Sequence, residues 1–152
     1  MAQITAHLDV PTDARVAFDH VADFTTTVDW DDSITESKRL DTGDIGLGSC
    51  FRVQLKLGLT TVPLEYVITA YDPPNGSEPG RVVLETTGPL HRGADDVRFR
   101  ATDDGTHVTW KARFALRGPG LLLDPLLGIG FRRTAAAAVA GLERSLTELA
   151  GR

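Results

Sequence analysis

The strongest constraint in this chain is a pair of alternating runs followed by one uninterrupted apolar-faced helix. Val97-Arg98-Phe99-Arg100 leads into the turn Asp103-Asp104-Gly105, and Val108-Thr109-Trp110-Lys111-Ala112-Arg113-Phe114 returns. Period two places Val97, Phe99, Val108, Trp110, Ala112, Phe114 and Leu116 on one face. A slip of one residue would turn Arg98, Arg100, Lys111 and Arg113 inward, and burying unpaired charges costs several kcal/mol or more each. The apolar set is therefore inside, and the basic row is a solvated face with Glu65 or Glu85 as expected cross-strand partners. Downstream, Asp124 as N-cap and Pro125 at the first helical position open a helix that can run to Ala150. At roughly 1.5 Å per residue it spans about 39 Å, enough to cross a whole sheet. Its stripe is Ala135, Ala138, Val139, Leu142, Leu146 and Leu149, while Arg144 and Glu148 face water. A rod laid across a curved antiparallel sheet roofs a hollow. The small Ala135–Ala138 block either leaves room beneath the helix or allows close packing on the sheet.

The upstream half supplies the rest of such a sheet. Gln3 to Val10 alternates, with Ile4, Ala6, Leu8 and Val10 on one side. Pro11 ends this strand, and Thr12 is the expected N-cap of a helix whose face is Ala14, Ala17, Phe18, Val21 and Ala22. Asp23 caps a second short turn through Val28, with Trp30 at its exit. Ile34 to Leu40 reads as an edge strand, Ser49 to Leu57 as a clean alternating strand, and Val62 to Tyr71 as another. Asp72-Pro73-Pro74-Asn75-Gly76 is a turn block, and Val82-Val83-Leu84 begins the next strand.

Composition excludes several functions. The 152 residues suit one domain, 1–152, with a substantial core. A net charge of −5 without a concentrated basic face argues against a nucleic-acid partner. Cys50 is the sole cysteine, so no internal disulfide forms. No apolar stretch follows a basic start, and the run Gly120 to Phe131 is too short to cross a bilayer, so stable membrane insertion is not expected and a cytoplasmic location is. His7, His20, His91 and His107 are scattered without metal-ligand spacing, and neither a G-x-S-x-G nor a phosphate loop occurs. No metal or cofactor is called for.

The order strand, two short helices, about six strands and a long terminal helix carries several local phrases. These are Val10-Pro11-Thr12, Val21-Ala22-Asp23-Phe24, Asp29-Trp30-Asp31, Tyr71-Asp72-Pro73-Pro74 and Asp104-Gly105-Thr106-His107-Val108-Thr109. Together they resemble the START-like helix-grip (SRPBCC) superfamily, in particular its bacterial polyketide cyclase/dehydrase-like members, over nearly the whole chain. The resemblance implies an α+β fold in which a curved seven-stranded antiparallel sheet wraps a long C-terminal helix around a deep apolar cavity. It also implies a range of functions: lipid carriage, polyketide aromatisation or cyclisation, and quinone binding. The shared phrases mark the fold, so function rests on the residues of the site.

The inner lining read from alternation is Phe51, Val53, Leu55, Leu64, Tyr66, Ile68, Leu84, Thr86, Val97, Phe99, Trp110 and Phe114. Leu126, Ile129 and Trp30 are placed on or near it. Tyr66 and Thr86 are its polar handles. Asp95 falls on the inner face in register with Val97 and Phe99, where a carboxyl at a cavity mouth becomes a candidate acid or base. Its bland alternative is a rim carboxylate. Asp31 and Asp32 read as loop-shaping residues. His91, with Arg92, is a candidate entrance residue or part of a surface loop. Three functional readings follow, two from this lining and one from the outward face. The first is binding of a hydrophobic or aromatic small molecule of polyketide, lipid or isoprenoid type. The second is a polyketide aromatase/cyclase or dehydratase working through Tyr66, Asp95 or His91. The third is a protein-interaction or quinone-chaperone module.

Overall fold

The computed structural model describes residues 1–118 and 124–151, the side chains of Leu57 and of residues 124–129 excepted. Seven strands form one antiparallel sheet: β1 (Ala2–Val10), β2 (Ile34–Arg39), β3 (Cys50–Leu57), β4 (Thr60–Asp72), β5 (Gly80–Thr87), β6 (His91–Thr102) and β7 (Gly105–Leu116). Their order across the sheet is β1-β7-β6-β5-β4-β3-β2. Only the β1–β7 pairing joins strands distant in sequence; every other neighbour is the next strand along the chain. Helices α1 (Ala14–Ala22) and α2 (Thr27–Trp30), with a 3-10 turn at Phe24–Thr26 between them, follow β1, and α3 (Asp124–Ala150) closes the chain. This is the helix-grip architecture that the resemblance implies.

Charge does set the register. Val97 pairs with Trp110 and Phe99 with Val108, and all four are buried. Arg98, Arg100, Lys111 and Arg113 are exposed. The expected acidic partners differ: Arg98 lies 3.6 Å from Asp96, which also takes a 2.9 Å contact from Arg81, while Glu65 meets Arg52 at 2.6 Å. Bulges between Ile34 and Glu36 and between Ile68 and Ala70 bend the sheet.

In α1 the whole predicted stripe, Ala14, Ala17, Phe18, Val21 and Ala22, is buried. The cap differs from expectation. Asp13, not Thr12, accepts from the backbone N–H groups of Arg15 (2.9 Å) and Val16 (3.3 Å). Thr12 is instead buried, and its hydroxyl donates to the carbonyl of Leu146 in α3. The Thr12 carbonyl in turn accepts from Thr106 Oγ1 at 2.7 Å, so one residue ties the end of β1 to both β7 and the terminal helix. A second tie joins His20 Nε2 to Ser145 Oγ at 3.0 Å.

Helix α3 buries Ala135, Ala138, Leu142 and Leu146 against the inner face, as its stripe predicts. The cap expected at Asp124 lies outside the described side chains. Half of the interior is solid: Phe18, Phe51, Phe99, Ile68, Leu84, Val53, Val82, Val97 and Val108 are almost wholly inaccessible and belong to one apolar cluster. Phe18 stacks edge-on against both Phe99 and Tyr71, at 5.5 and 5.1 Å. The other half is open.

Candidate functional site

Between α2, the first described turns of α3 and the inner faces of β3, β4, β6 and β7 lies a cavity of about 300 Å³. Its walls are aromatic. Trp30, the last residue of α2, meets Trp110 of β7 edge-on with ring centroids 5.6 Å apart. Phe24 packs on Tyr66 at 4.9 Å, and Phe114 stacks on Phe131 at 6.5 Å. Leu55 and Ile34 extend the apolar wall, and Ala135 and Ala138 form its ceiling. Of the two readings of the alanine block, the helix therefore leaves room there. Larger residues at those positions would fill the space.

Local sequence explains how the walls stand. Asp23 accepts from Thr25 N–H at 3.2 Å and from its hydroxyl at 2.6 Å, starting the turn that carries Phe24 inward. The indole N–H of Trp30 donates to Thr26 Oγ1 at 3.2 Å, fixing the ring against its own helix. Strand alternation then aims Leu55, Tyr66, Asp95, Trp110 and Phe114 at the same space.

Three acids, Asp95, Asp31 and Tyr66, break the apolar lining. Asp95 Oδ1 accepts from the indole N–H of Trp110 at 2.9 Å, and among the described residues no donor reaches its other oxygen. Burial pushes the Asp95 carboxyl up to about 6; the Trp110 hydrogen bond opposes this and the charge of Asp31 adds to it. Asp31 itself is raised, first by burial, with hydrogen bonds from Ser33 pulling the other way and Asp32 adding repulsion. Ser33 donates to Asp31 Oδ1 from its N–H (2.9 Å) and hydroxyl (2.6 Å). Tyr66 is held well above the usual phenol range by burial, then by the charges of Asp95 and Asp31, and its hydroxyl has no hydrogen bond among the described residues. Tyr66 and Asp95 keep some accessible surface although they are deeply enclosed, so that surface belongs to the cavity.

The expected lining is thus divided. Trp30, Leu55, Tyr66, Trp110 and Phe114 line the cavity, as does Asp95. Phe51, Val53, Leu64, Ile68, Leu84, Val97 and Phe99 share the inner face but are buried in the solid half, where α1 packs over β5 and β6 and Phe24 packs edge-on against Phe51. Thr86 is buried and bound to His91 Nε2 at 3.0 Å rather than offered to a guest. The side chains of Leu126 and Ile129 lie outside the described residues. His91 does not sit in a loop: it opens β6, pairs with Leu116, and stacks flat on Phe114 at 5.9 Å, behind the cavity wall. Burial lowers its pKa.

Sequence reading missed Phe24, Asp31, Ser33 and Phe131. Phe131 was legible, standing four residues before Ala135 on the same stripe. Asp31 was not, since only the fold turns the exit of α2 toward β6. Among the described residues no group of three metal-ligating side chains converges, and no helix is long and apolar enough to cross a membrane.

Comparison with known structures agrees with this geometry. A Thermus thermophilus protein is 14% identical, with 97% of each chain covered and a TM-score of 0.72. A START superfamily protein from Mycobacterium smegmatis is 12% identical, covering 98% of this chain and 99% of its own, at 0.72. A STAR-related lipid transfer protein from Xanthomonas axonopodis is 12% identical over 95% of this chain and 85% of its own, at 0.68. At such identities these likenesses establish the fold alone. No curated protein matches the chain in sequence. The family described as polyketide cyclase / dehydrase and lipid transport matches residues 1–152, and the chain belongs to it.

Proposed function

We propose that this protein binds a hydrophobic or aromatic small molecule, of polyketide, lipid or isoprenoid type, in the cavity between sheet and terminal helix. The observation that carries the reading is an aromatic-walled space of about 300 Å³ beside an otherwise solid core. Such a volume stands at the lower end of ligand sites, which favours a compact guest. Burial of apolar area, at about 25 cal/mol per Å², supplies the driving force. Thermal-shift screening and native mass spectrometry of the purified protein test it. Stabilisation by a hydrophobic class, or a co-purified guest, is the expected outcome. A flat response across all classes counts against the reading.

A second reading is favoured by one specific observation: Asp95 and Tyr66 face the same enclosed space, and Asp95 is brought to about 6. A carboxyl near neutrality accepts and returns protons efficiently, as cyclisation or dehydration of a poly-β-ketone requires. The cavity would hold the chain folded while Asp95 moves the proton and Tyr66 donates to the developing enolate. Turnover of a poly-β-ketone mimic that falls in both Asp95→Asn and Tyr66→Phe supports this reading; turnover unchanged in both removes it.

A further inference from the structure

The polar equipment of the cavity is one-sided. Among the described residues its ionisable inward groups are Asp31, Asp95 and Tyr66, which are acids, and no cation among them offsets Asp95: the influences on it are burial, Trp110 and Asp31. The two basic residues on the cavity boundary, Lys56 and Arg113, have exposed side chains on strands whose alternate residues face inward. Tyr66 Oη and the second oxygen of Asp95 line the cavity without a protein donor among the described residues, and neither is sealed from solvent. A guest whose donors match these acceptors replaces the water that otherwise serves them. Around them stand the faces and edges of Trp30, Trp110, Phe24 and Tyr66. Carboxylates within an aromatic cage favour one chemistry above others, since ring quadrupoles and anions both attract a cation.

We propose that the guest is a compact aromatic or alicyclic amine, bound as its ammonium. The ammonium lies between Asp95 and Asp31, Tyr66 Oη accepts one of its hydrogens, and the ring system packs on Trp30 and Trp110. This rests on the reading of the cavity as a ligand site and narrows the class of guest. The same arrangement disfavours carboxylic acids, because a third carboxylate would meet two already resisting ionisation. The raised carboxyls of Asp31 and Asp95 fit a site whose charges find their partner only on binding.

The test is titration calorimetry of the full chain, at neutral to mildly alkaline pH, with three guests sharing one ring: tryptamine, tryptophol and indole-3-acetate. Tryptamine is expected to bind about ten-fold tighter than tryptophol, the scale of one desolvated charge pair, and indole-3-acetate weakest. In the Asp31→Asn/Asp95→Asn double variant, the amine should lose its roughly ten-fold advantage over tryptophol, whatever change the two guests share. Circular dichroism and cooperative thermal unfolding show that the variant is folded. If tryptophol matches or exceeds tryptamine, or if the amine keeps its advantage in the double variant, the amine assignment is overturned while the cavity reading stands. If none of the three binds and a panel of neutral apolar guests also fails, both fall together.

Discussion

Gly141 of α3 lies directly against the backbone of Trp30: a Cβ at position 141 would overlap the Trp30 carbonyl oxygen. Trp30 ends α2 and walls the cavity, so this backbone-to-backbone contact seats the roof on the wall. The terminal helix is held close at Gly141 and stands off at Ala135 and Ala138, where the space opens. A helix that is tight at one point and clear at another encloses a chamber without collapsing into it.

Two glycines of that helix should respond oppositely to the same substitution. On propensity alone, Gly→Ala inside a helix gains about 1 kcal/mol. At Gly130, where an added Cβ meets nothing within 4 Å, that gain should appear as a higher Tm. At Gly141 the methyl meets backbone, which yields poorly, and overpacking costs about 1–3 kcal/mol. Gly141→Ala should lower Tm and weaken guest binding. Thermal denaturation of both variants checks the contrast; a stabilised Gly141→Ala would show that the helix does not rest on Trp30.

Asp95 makes a pH prediction with a definite sign. Its native pKa of about 6 stands above the ordinary 3.8, with Asp31 from the end of α2, Tyr66 from β4 and Trp110 from β7 facing it. Between those values the folded chain holds the proton that the unfolded chain releases. Asp95 therefore costs stability as pH rises from about 3.8 through about 6, and the cost is fully present above 6. Asp95→Asn keeps an acceptor for the Trp110 indole and removes the cost. Urea denaturation should find the variant more stable at neutral pH by up to about 3 kcal/mol, with the difference vanishing near the lower limit. A variant less stable than wild type at neutral pH would contradict this.

The architecture was legible because periodicity and charge act locally. The register of β6 and β7 follows from four basic residues that cannot be buried, and the stripes of α1 and α3 from their spacing. The cavity was legible only in part. Alternation separates inner from outer face, but Phe51 and Phe114 both read as inner, and what decides between packed core and open wall is which helix covers each. That depends on contacts such as Gly141 with Trp30, between residues 111 positions apart, which no local pattern records. Asp95 was visible from strand parity. Asp31 was not, because Asp29-Trp30-Asp31-Asp32 reads as an ordinary acidic loop until α2 is set beside β6. Thr12 had the right chemistry for a cap, and Asp13 took that role once Thr12 was drawn into the core.

The buried hydroxyl of Thr12 couples the two ends of the chain. It donates to Leu146 O, while the Thr12 carbonyl accepts from Thr106 at 2.7 Å. Thr12→Val preserves shape but leaves the Leu146 carbonyl one donor short, at a cost of about 1–2 kcal/mol. Thr106→Val should cost a similar amount, and because the two bonds share one residue the double variant should lose less than the sum. Chemical denaturation of the cycle measures the coupling; strict additivity would show that the bonds act independently.

The chain's two tryptophans, Trp30 and Trp110, both line the cavity, so any guest should alter the intrinsic emission. Ala138→Leu tests whether the signal comes from that space. Ala138 is buried and is one of the residues that line the cavity, so the added branch is expected to enter that volume. Filling it buries apolar surface worth about 2 kcal/mol without opening a void elsewhere. The variant should keep or raise its Tm while losing the guest-induced fluorescence change and at least about ten-fold in affinity. A destabilised variant would mean that the ceiling is already packed. One that binds undiminished would place the guest elsewhere, since a ligand resting on Trp30 and Trp110 cannot share the chamber with an added leucine.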